Sequence, residues 1–252
     1  PIVCLAIINK YKFSDLLERQ IIRWFYAAAM WGHFSRGATE STLDEDLSLI
    51  EKEETPLIPM IEKILAQSGR LKVKESDLEG KDTRSPFFVM SYVLARRNNA
   101  KDWGSGVPLN LQNVGLIFKN EYDHIFPSST LTKHLMKKYD DDKQKVKRLV
   151  NDIANIAFLS KRHNVIKSNK LPQEYFRTVI NDRGEEALTS QNITLVDRLW
   201  SLDSYEDFLK DRRKRLVQGI NNLMESLEKG EMEKEKPIEG ILKGGETENL
   251  EF

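Results

Sequence analysis

The sequence predicts an α+β fold that is mostly α, with a helical first half, a small ββα unit and further helices near the C-terminus. Apolar residues recur at helical spacing through most of residues 1–112 and again over 204–227. Between these stretches lie two short apolar runs, at 121–127 and 155–160, and a helix start follows the second run. Two short strands followed by a helix form a ββα unit.

Composition limits the classes of protein that the chain can represent. Its 252 residues, of which 40% are hydrophobic and 31% charged, suffice for one large domain or two small ones with a real core. No apolar run approaches the ~20 residues of a membrane span. Because Cys4 is the single cysteine, a disulfide framework and a cysteine zinc site are excluded, and a reducing cytoplasm fits.

Residues 1–112 are predicted to form a helical domain. The apolar opening, residues 1–8, indicates a strand or a buried helix, and a shorter helix is expected over 57–65. Helix starts are indicated at Ser14, at the capping-box pattern Ser41-x-x-Asp44, and at Ser85 followed by Pro86.

Residues 113–178 are predicted to form the ββα unit, with a helical insert over 128–153 between its strands. Val114 to Phe118 indicates either an additional strand or an apolar lead-in. The run of aspartates at 140–142 suggests a metal site, but no calcium-loop pattern follows it. A solvated turn is therefore the preferred interpretation.

The C-terminal part is predicted to contain helices over 179–230 that pack on the core. Ser204 marks the start of a long helix that runs to about Leu227. The basic run from Arg212 to Arg215 indicates a solvated face or, alternatively, a contact with nucleic-acid phosphate. Glu, Lys and Gly dominate residues 231–252, which predicts a flexible tail.

The distribution of charge indicates a nucleic-acid partner, although the net charge is zero. Residues 116–180 contain 13 Lys and Arg against 7 Asp and Glu, an excess of six positive charges. The rest of the chain has 26 against 32, an equal negative excess. The positive excess coincides with the predicted ββα unit.

Three sequence words carry a family resemblance. They are Tyr-Asp-His-Ile-Phe-Pro-Ser-Ser at 122–129, Asn-Asp-Ile-Ala-Asn-Ile-Ala-Phe-Leu-Ser at 151–160 and Asn-Lys-Leu-Pro-Gln-Glu-Tyr-Phe at 169–176. With nine positions from Asn155 to Asn164, this arrangement resembles the HNH, or ββα-metal, nucleases. More narrowly, it is similar to the HNH part of GmrSD-type DNA restriction proteins, specifically over 121–176 and more weakly over 1–228.

The resemblance implies a metal-dependent DNA endonuclease module of a bacterial restriction or anti-phage system, with DNA, including modified phage DNA, as its partner. Such proteins carry an N-terminal ParB/sulfiredoxin-like domain that hydrolyses nucleotides. This chain begins with Pro1 and has no Gly-x-x-x-x-Gly-Lys loop, so we expect it to lack that domain and its activity. A homo-oligomer is left open. The alternative is a nucleic-acid-binding or scaffold module with an inactive nuclease fold.

The same resemblance implies a metal site. Asp123 and the side-chain oxygen of Asn164 would hold a divalent cation, Mg²⁺ or Mn²⁺, which prefers hard oxygen ligands. His163 is the alternative ligand, because some HNH enzymes use histidine at this point. The spacing from Asn155 favours Asn164.

His124 and Asn155 are the predicted catalytic residues. An imidazole titrates close to neutral pH, so His124 can act as the general base on water. Adjacent strand residues face opposite sides, so Asp123 and His124 can share one phosphate only if the strand ends there, as Pro127 indicates. The resemblance implies that Asn155 hydrogen-bonds the loop carrying His124, although an asparagine before a strand is often only a turn residue.

Phosphate contacts are predicted for basic residues around the last helix of the unit. Lys167 lies one turn after Asn164 on the same face, and Arg162 and Lys170 are weaker candidates. A solvated face is the alternative for all three. His33 and His134 match no motif and are predicted to have a structural role or to lie at the surface.

Overall fold

The structure, a computed structural model, describes residues 1–35, 37–109, 120–160 and 169–230. Within them it contains eleven α-helices and two β-strands, as the predicted mostly α fold requires. The first half contains α1 (Ile2–Lys10), α2 (Asp15–Met30), α3 (Thr39–Lys52), α4 (Leu57–Ser68), α5 (Glu75–Leu78) and α6 (Pro86–Arg97). The strand or lead-in expected at 114–118 and the tail at 231–252 lie outside the described residues.

The second half contains the two strands with helices between and after them. In chain order these are β1 (Asn120–His124), α7 (Ser128–Lys138), α8 (Lys143–Val150), β2 (Ile156–Ser160), α9 (Pro172–Arg183), α10 (Glu186–Thr189) and α11 (Tyr205–Lys229). Short 3₁₀ turns cover Ile153–Asn155 and Asp197–Trp200. The predicted helical insert is therefore α7 and α8.

Two of the three helix starts predicted within residues 1–112 are confirmed by their caps. The hydroxyl of Ser14 accepts a hydrogen bond from the backbone N–H of Leu17 at 3.2 Å, and that of Ser85 accepts from Phe87 at 3.3 Å. The capping box at Ser41 is wrong, because α3 already begins at Thr39. Ser41 instead donates to Glu45 inside the helix.

The apolar opening of the chain is a helix, the second of the two predicted alternatives. Only Val3 and Ile7 of α1 are buried, and they lie one turn apart. Ile2 and Leu5 are exposed by 59% and 58%, so α1 covers the core with one stripe rather than being buried on all sides.

Two large hydrophobic cores organise the molecule, and α11 contributes to both. Its first turns place Tyr205, Phe208 and Leu209 in a core that also contains the central part of β2 and residues of α7 to α10. Its later turns place Leu216 and Ile220 in a core built from α1 to α6. The single long helix therefore ties the helical half to the half that carries the two strands. The predicted domain boundaries stay a prediction.

The two strands form an antiparallel pair with a defined register. Tyr122 lies opposite Phe158, Asp123 opposite Ala157 and His124 opposite Ile156. One face of the pair packs against α6, where the ring of Phe88 lies 5.2 Å from that of Tyr122 and 5.4 Å from that of Phe158. This contact attaches the strands to the helical half.

The basic run on α11 is not the uniform face that the sequence suggested. Arg212 is only 1% exposed and donates to the backbone oxygens of Ala154 and Gln191, at 2.9 and 3.2 Å. Both readings of the run are therefore wrong for Arg212. Arg213 is also largely buried and binds a carboxylate, and Arg215 pairs with Asp211 on the same helix.

Several smaller predictions can be compared directly with the structure. The aspartates at 140–142 form a turn in which Asp140 and Asp141 have positive φ angles and Asp142 caps α8.

His33 is structural, because it is buried and its Nε2 lies 2.8 Å from a carboxylate oxygen of Asp46. His134 is partly exposed, with its Nε2 3.9 Å from Asp203. In the described part of the chain, no helix combines the length and the apolar character that crossing a membrane requires.

Candidate active site

The candidate site lies where β1 ends. Asp123 and His124 are the last two residues of the strand and both are partly buried. Ile125 and Phe126 then turn into the core, and Pro127 precedes the first residue of α7. The strand therefore ends at His124. The sequence analysis required such an end for Asp123 and His124 to share one phosphate.

Asn155 connects this turn to the start of β2. Its Oδ1 accepts from the backbone N–H of Phe126 at 2.9 Å, while its Nδ2 donates to the carbonyls of Phe126 and Val150 at 3.3 and 2.9 Å. Its own carbonyl accepts from Ile125 at 2.7 Å. Because Asn155 is fully buried, these bonds hold the backbone directly after His124 in one position. This geometry supports the predicted positioning role of Asn155.

The imidazole of His124 contacts an asparagine that was not among the predicted site residues. Its Nε2 lies 3.1 Å from Oδ1 of Asn151, the residue that ends α8. The amide group of Asn151 is itself held, because its Nδ2 donates to the carbonyl of Lys147 at 3.0 Å. An accepting oxygen at Nε2 favours the tautomer that carries its proton there. That tautomer leaves Nδ1 with a lone pair that can take a proton from water.

Tyr175 of α9 supports the same turn from the other side. It is buried, and its hydroxyl donates to the carbonyl of Ile125 at 3.1 Å. Burial raises the pKa of Tyr175 well above its usual value, and the charge of Asp123 adds to this effect. The phenol therefore stays protonated and keeps its donor role.

The 3₁₀ turn that presents Asn155 is held by α11. Asp152, fully buried, accepts from the guanidinium of Arg213 at 2.5 Å and from the backbone N–H groups of Ala154 and Gly80, both at 2.9 Å. Burial raises the pKa of Asp152, and the bond from Arg213 opposes that effect most strongly. Burial lowers the pKa of Arg212 to about 9, so its guanidinium stays charged at neutral pH while it binds the carbonyl of Ala154.

Other predicted site residues lie outside the described part of the chain. These are Arg162, His163, Asn164 and Lys167. Lys170 is described and exposed. The described residues contain no group of three or more His, Cys, Asp and Glu side chains that could hold a metal. The donor available at the strand end is the Asp123 carboxylate, a hard oxygen ligand of the kind that Mg²⁺ and Mn²⁺ prefer.

A protein-family model matches the part of the chain that contains this site. Residues 68–218 match the model of the C-terminal domain of GmrSD restriction endonucleases. The match includes both strands, the α7–α8 insert, Asp123, His124 and Asn155, and extends into α11. The chain belongs to this family. Searches of curated proteins and of solved structures gave no significant match.

The structure adds supporting residues that the sequence analysis did not select. Asn151 and Tyr175 both lie within the words that carry the resemblance, but their contacts span 27 and 50 residues along the chain. Asp152 follows Asn151, and its partner Arg213 lies 61 residues further on. Local pattern contains no signal for such distant pairs.

Proposed function

We propose that this chain is a metal-dependent DNA endonuclease module of the HNH type that acts in a bacterial restriction or anti-phage system. The observation that carries the proposal is the end of β1, where His124 is oriented by Asn151 and its backbone is held by Asn155. Phosphate binding alone needs no oriented imidazole. Membership of the GmrSD restriction endonuclease family supports the same conclusion.

In this proposal His124 removes the proton from the attacking water. Asn151 accepts at Nε2, which assigns the proton-accepting role to Nδ1. Asn155 keeps the turn after His124 rigid, which holds the base at one distance from the phosphate. Neither asparagine has to touch the substrate, and both act through the position of the imidazole.

A divalent cation, Mg²⁺ or Mn²⁺, would be held by Asp123 and Asn164, with His163 as the alternative to Asn164. When bound, it supplies charge neutralisation at the phosphoryl group and at the leaving oxygen. Arg162, Lys167 and Lys170 would contact flanking phosphates. DNA is the proposed partner, together with the nucleotide-hydrolysing domain of the complete restriction protein.

A plasmid-cleavage assay tests the function. Supercoiled plasmid and modified phage DNA are incubated with the purified chain in Mg²⁺, in Mn²⁺ and in EDTA. The expected result is nicked or linear DNA with either metal and none in EDTA. DNA binding without cleavage under every metal condition would favour the alternative, a binding module with an inactive nuclease fold.

The metal ligands can be separated from their neighbours by calorimetry. Replacing Asp123 or Asn164 with alanine should weaken Mn²⁺ binding about tenfold or more, because each change removes an oxygen ligand. Replacing His163 should leave Mn²⁺ affinity close to that of the wild type and serves as the control. A larger loss from His163→Ala than from Asn164→Ala would reverse the assignment of the second ligand.

Asn155 offers a test that separates positioning from stability. Asn155→Ala should lower the free energy of unfolding by about 3 kcal/mol, since it leaves the buried N–H and C=O groups of Phe126 without their partner. It should also reduce cleavage at a temperature where the variant is still folded. Denaturant unfolding and single-turnover cleavage measure the two effects.

Gln191 is the matched control for Asn155. It is a buried amide that binds both backbone groups of Phe158, at 2.8 and 2.9 Å, on β2 opposite Tyr122 rather than in the turn after His124. Gln191→Ala should cost a similar free energy, about 3 kcal/mol, and retain cleavage. Equal losses of cleavage in both variants would mean that Asn155 acts only through stability.

A further inference from the structure

A groove runs between the two helices of the insert and reaches Asn151, the residue that contacts His124. It has a volume of about 410 Å³ and lies between α7 and α8, which pack against each other. Its polar lining consists of Ser128 and Thr132 from α7, Lys143 and Lys147 from α8, and Asn151 directly after α8. Its floor is apolar and includes Val146 and Val150, which belong to the core beneath.

The charge of this groove has one sign. None of its lining residues is acidic. Lys143 and Lys147 are exposed and lie one turn apart on the same face of α8, about 6 Å along the helix axis. In the described part of the chain, no carboxylate forms an ion pair with either of them. Lys147 contributes weakly to lowering the pKa of Asp82, a carboxylate whose main partner is the guanidinium of Arg84 at 2.5 Å.

Asn151 connects the groove to the candidate catalytic base. It lines the groove, and its Oδ1 lies 3.1 Å from Nε2 of His124. A DNA strand that reacts at His124 can therefore continue past Asn151 into the space between α7 and α8. The lysines of α8 beside an apolar floor suit a sugar-phosphate backbone, whose phosphates bind lysines while the deoxyribose packs on aliphatic side chains.

We propose that the α7–α8 groove binds the backbone of the cleaved DNA strand next to the scissile phosphate, with phosphates on Lys143 and Lys147 and hydroxyl donors at Ser128 and Thr132. This assignment rests on the proposed nuclease function. It gives the insert a role, since seven of the thirteen basic residues between 116 and 180 lie on α7 and α8.

DNA binding tests the groove without requiring cleavage. The probe is a short fluorescein-labelled DNA duplex, measured by anisotropy on a His124→Ala background in Ca²⁺ over about 50 to 200 mM salt. Lys143→Ala and Lys147→Ala should each make the slope of log K against log salt shallower by about 0.9, and the double variant by about 1.8. Affinity at the lowest salt should fall on the order of tenfold for each change.

Lys137→Ala is the matched control, because Lys137 is equally exposed on α7 but does not line the groove. It should keep the wild-type slope. Slopes for Lys143→Ala and Lys147→Ala that equal the control slope would overturn the proposal. An effect of these lysines confined to an RNA duplex of the same sequence would overturn the assignment to DNA.

A cleavage assay distinguishes a wrong assignment of the groove from a wrong assignment of the nuclease function. The two substrates are plasmid DNA and thymidine 5′-(p-nitrophenyl phosphate), which is too small to reach from His124 along the groove. The Lys143→Ala, Lys147→Ala double variant should lose far more kcat/KM on DNA than on the small substrate, and equal losses would contradict the groove. If the wild type cleaves neither substrate, the nuclease proposal fails, and the anisotropy series still decides whether the groove binds DNA.

Discussion

His124→Ala is expected to abolish DNA cleavage while leaving the affinity for Mn²⁺ and for DNA close to the wild-type values. Loss of a general base typically costs about 10²- to 10⁴-fold in rate. The side chain is partly exposed, and its described hydrogen bond goes to Asn151 at the surface end of α8, so the fold should survive the change. Single-turnover cleavage in Mg²⁺, with calorimetry and anisotropy for binding, measures the result.

His134→Ala is the control for this experiment. His134 belongs to the same half of the molecule and is partly exposed, but it lies on α7 next to Asp203 rather than at the strand end. It should cleave like the wild type. Asn151→Ala should lie between the two, because the imidazole remains but loses the acceptor at Nε2. Wild-type turnover in His124→Ala would remove His124 from the mechanism.

The sequence predicted where β1 ends and where β2 begins because these features are local. Asp123 and His124 are adjacent, Pro127 stops the strand, and Asn155 begins the second apolar run. Each of these features can be read within a few residues. The orientation of His124 could not be predicted in the same way, because it depends on the end of α8, which folding brings back to β1.

The predictions about the fold were likewise correct where neighbouring residues determine the structure. The caps at Ser14 and Ser85 depend on neighbouring residues and agree with the prediction, whereas the N-cap of α3 is Ala38, three residues before the predicted cap at Ser41. On α11 the spacing of the apolar residues indicates that Arg212 is buried. Arg212 follows Leu209 by three residues and precedes Leu216 by four, so it lies in the apolar stripe that faces the core.

The largest loss of stability is expected from Arg213→Ala. Arg213 binds Asp152, whose side chain is fully buried between the 3₁₀ turn before Asn155 and the backbone of Gly80. Removing one partner of a buried ion pair leaves an uncompensated charge and costs about 3–5 kcal/mol. Since the same turn presents Asn155, cleavage should decline as the turn loosens. Denaturant unfolding at neutral pH measures the free energy.

The loss should depend on pH in a defined direction. Burial is the main cause that raises the pKa of Asp152, and Arg213 is the main cause that opposes it. In Arg213→Ala that pKa should therefore rise further. A carboxyl group with a raised folded-state pKa contributes stability below its unfolded value, near 3.8, and loses it as pH rises through the folded value. The difference from the wild type should thus widen from acidic to neutral pH.

Lys229→Ala is the control for the buried pair on the same helix. Lys229 pairs with Glu225 one turn away at 2.6 Å, but more than half of each side chain is exposed to water. Water screens such a pair, so its removal should leave the free energy of unfolding nearly unchanged at every pH. A second control, Asp152→Asn in the Arg213→Ala background, removes the buried charge and should recover part of the lost stability. If Arg213→Ala lowered the free energy of unfolding no more than Lys229→Ala does, the ion pair between Arg213 of α11 and Asp152 would not stabilise the site.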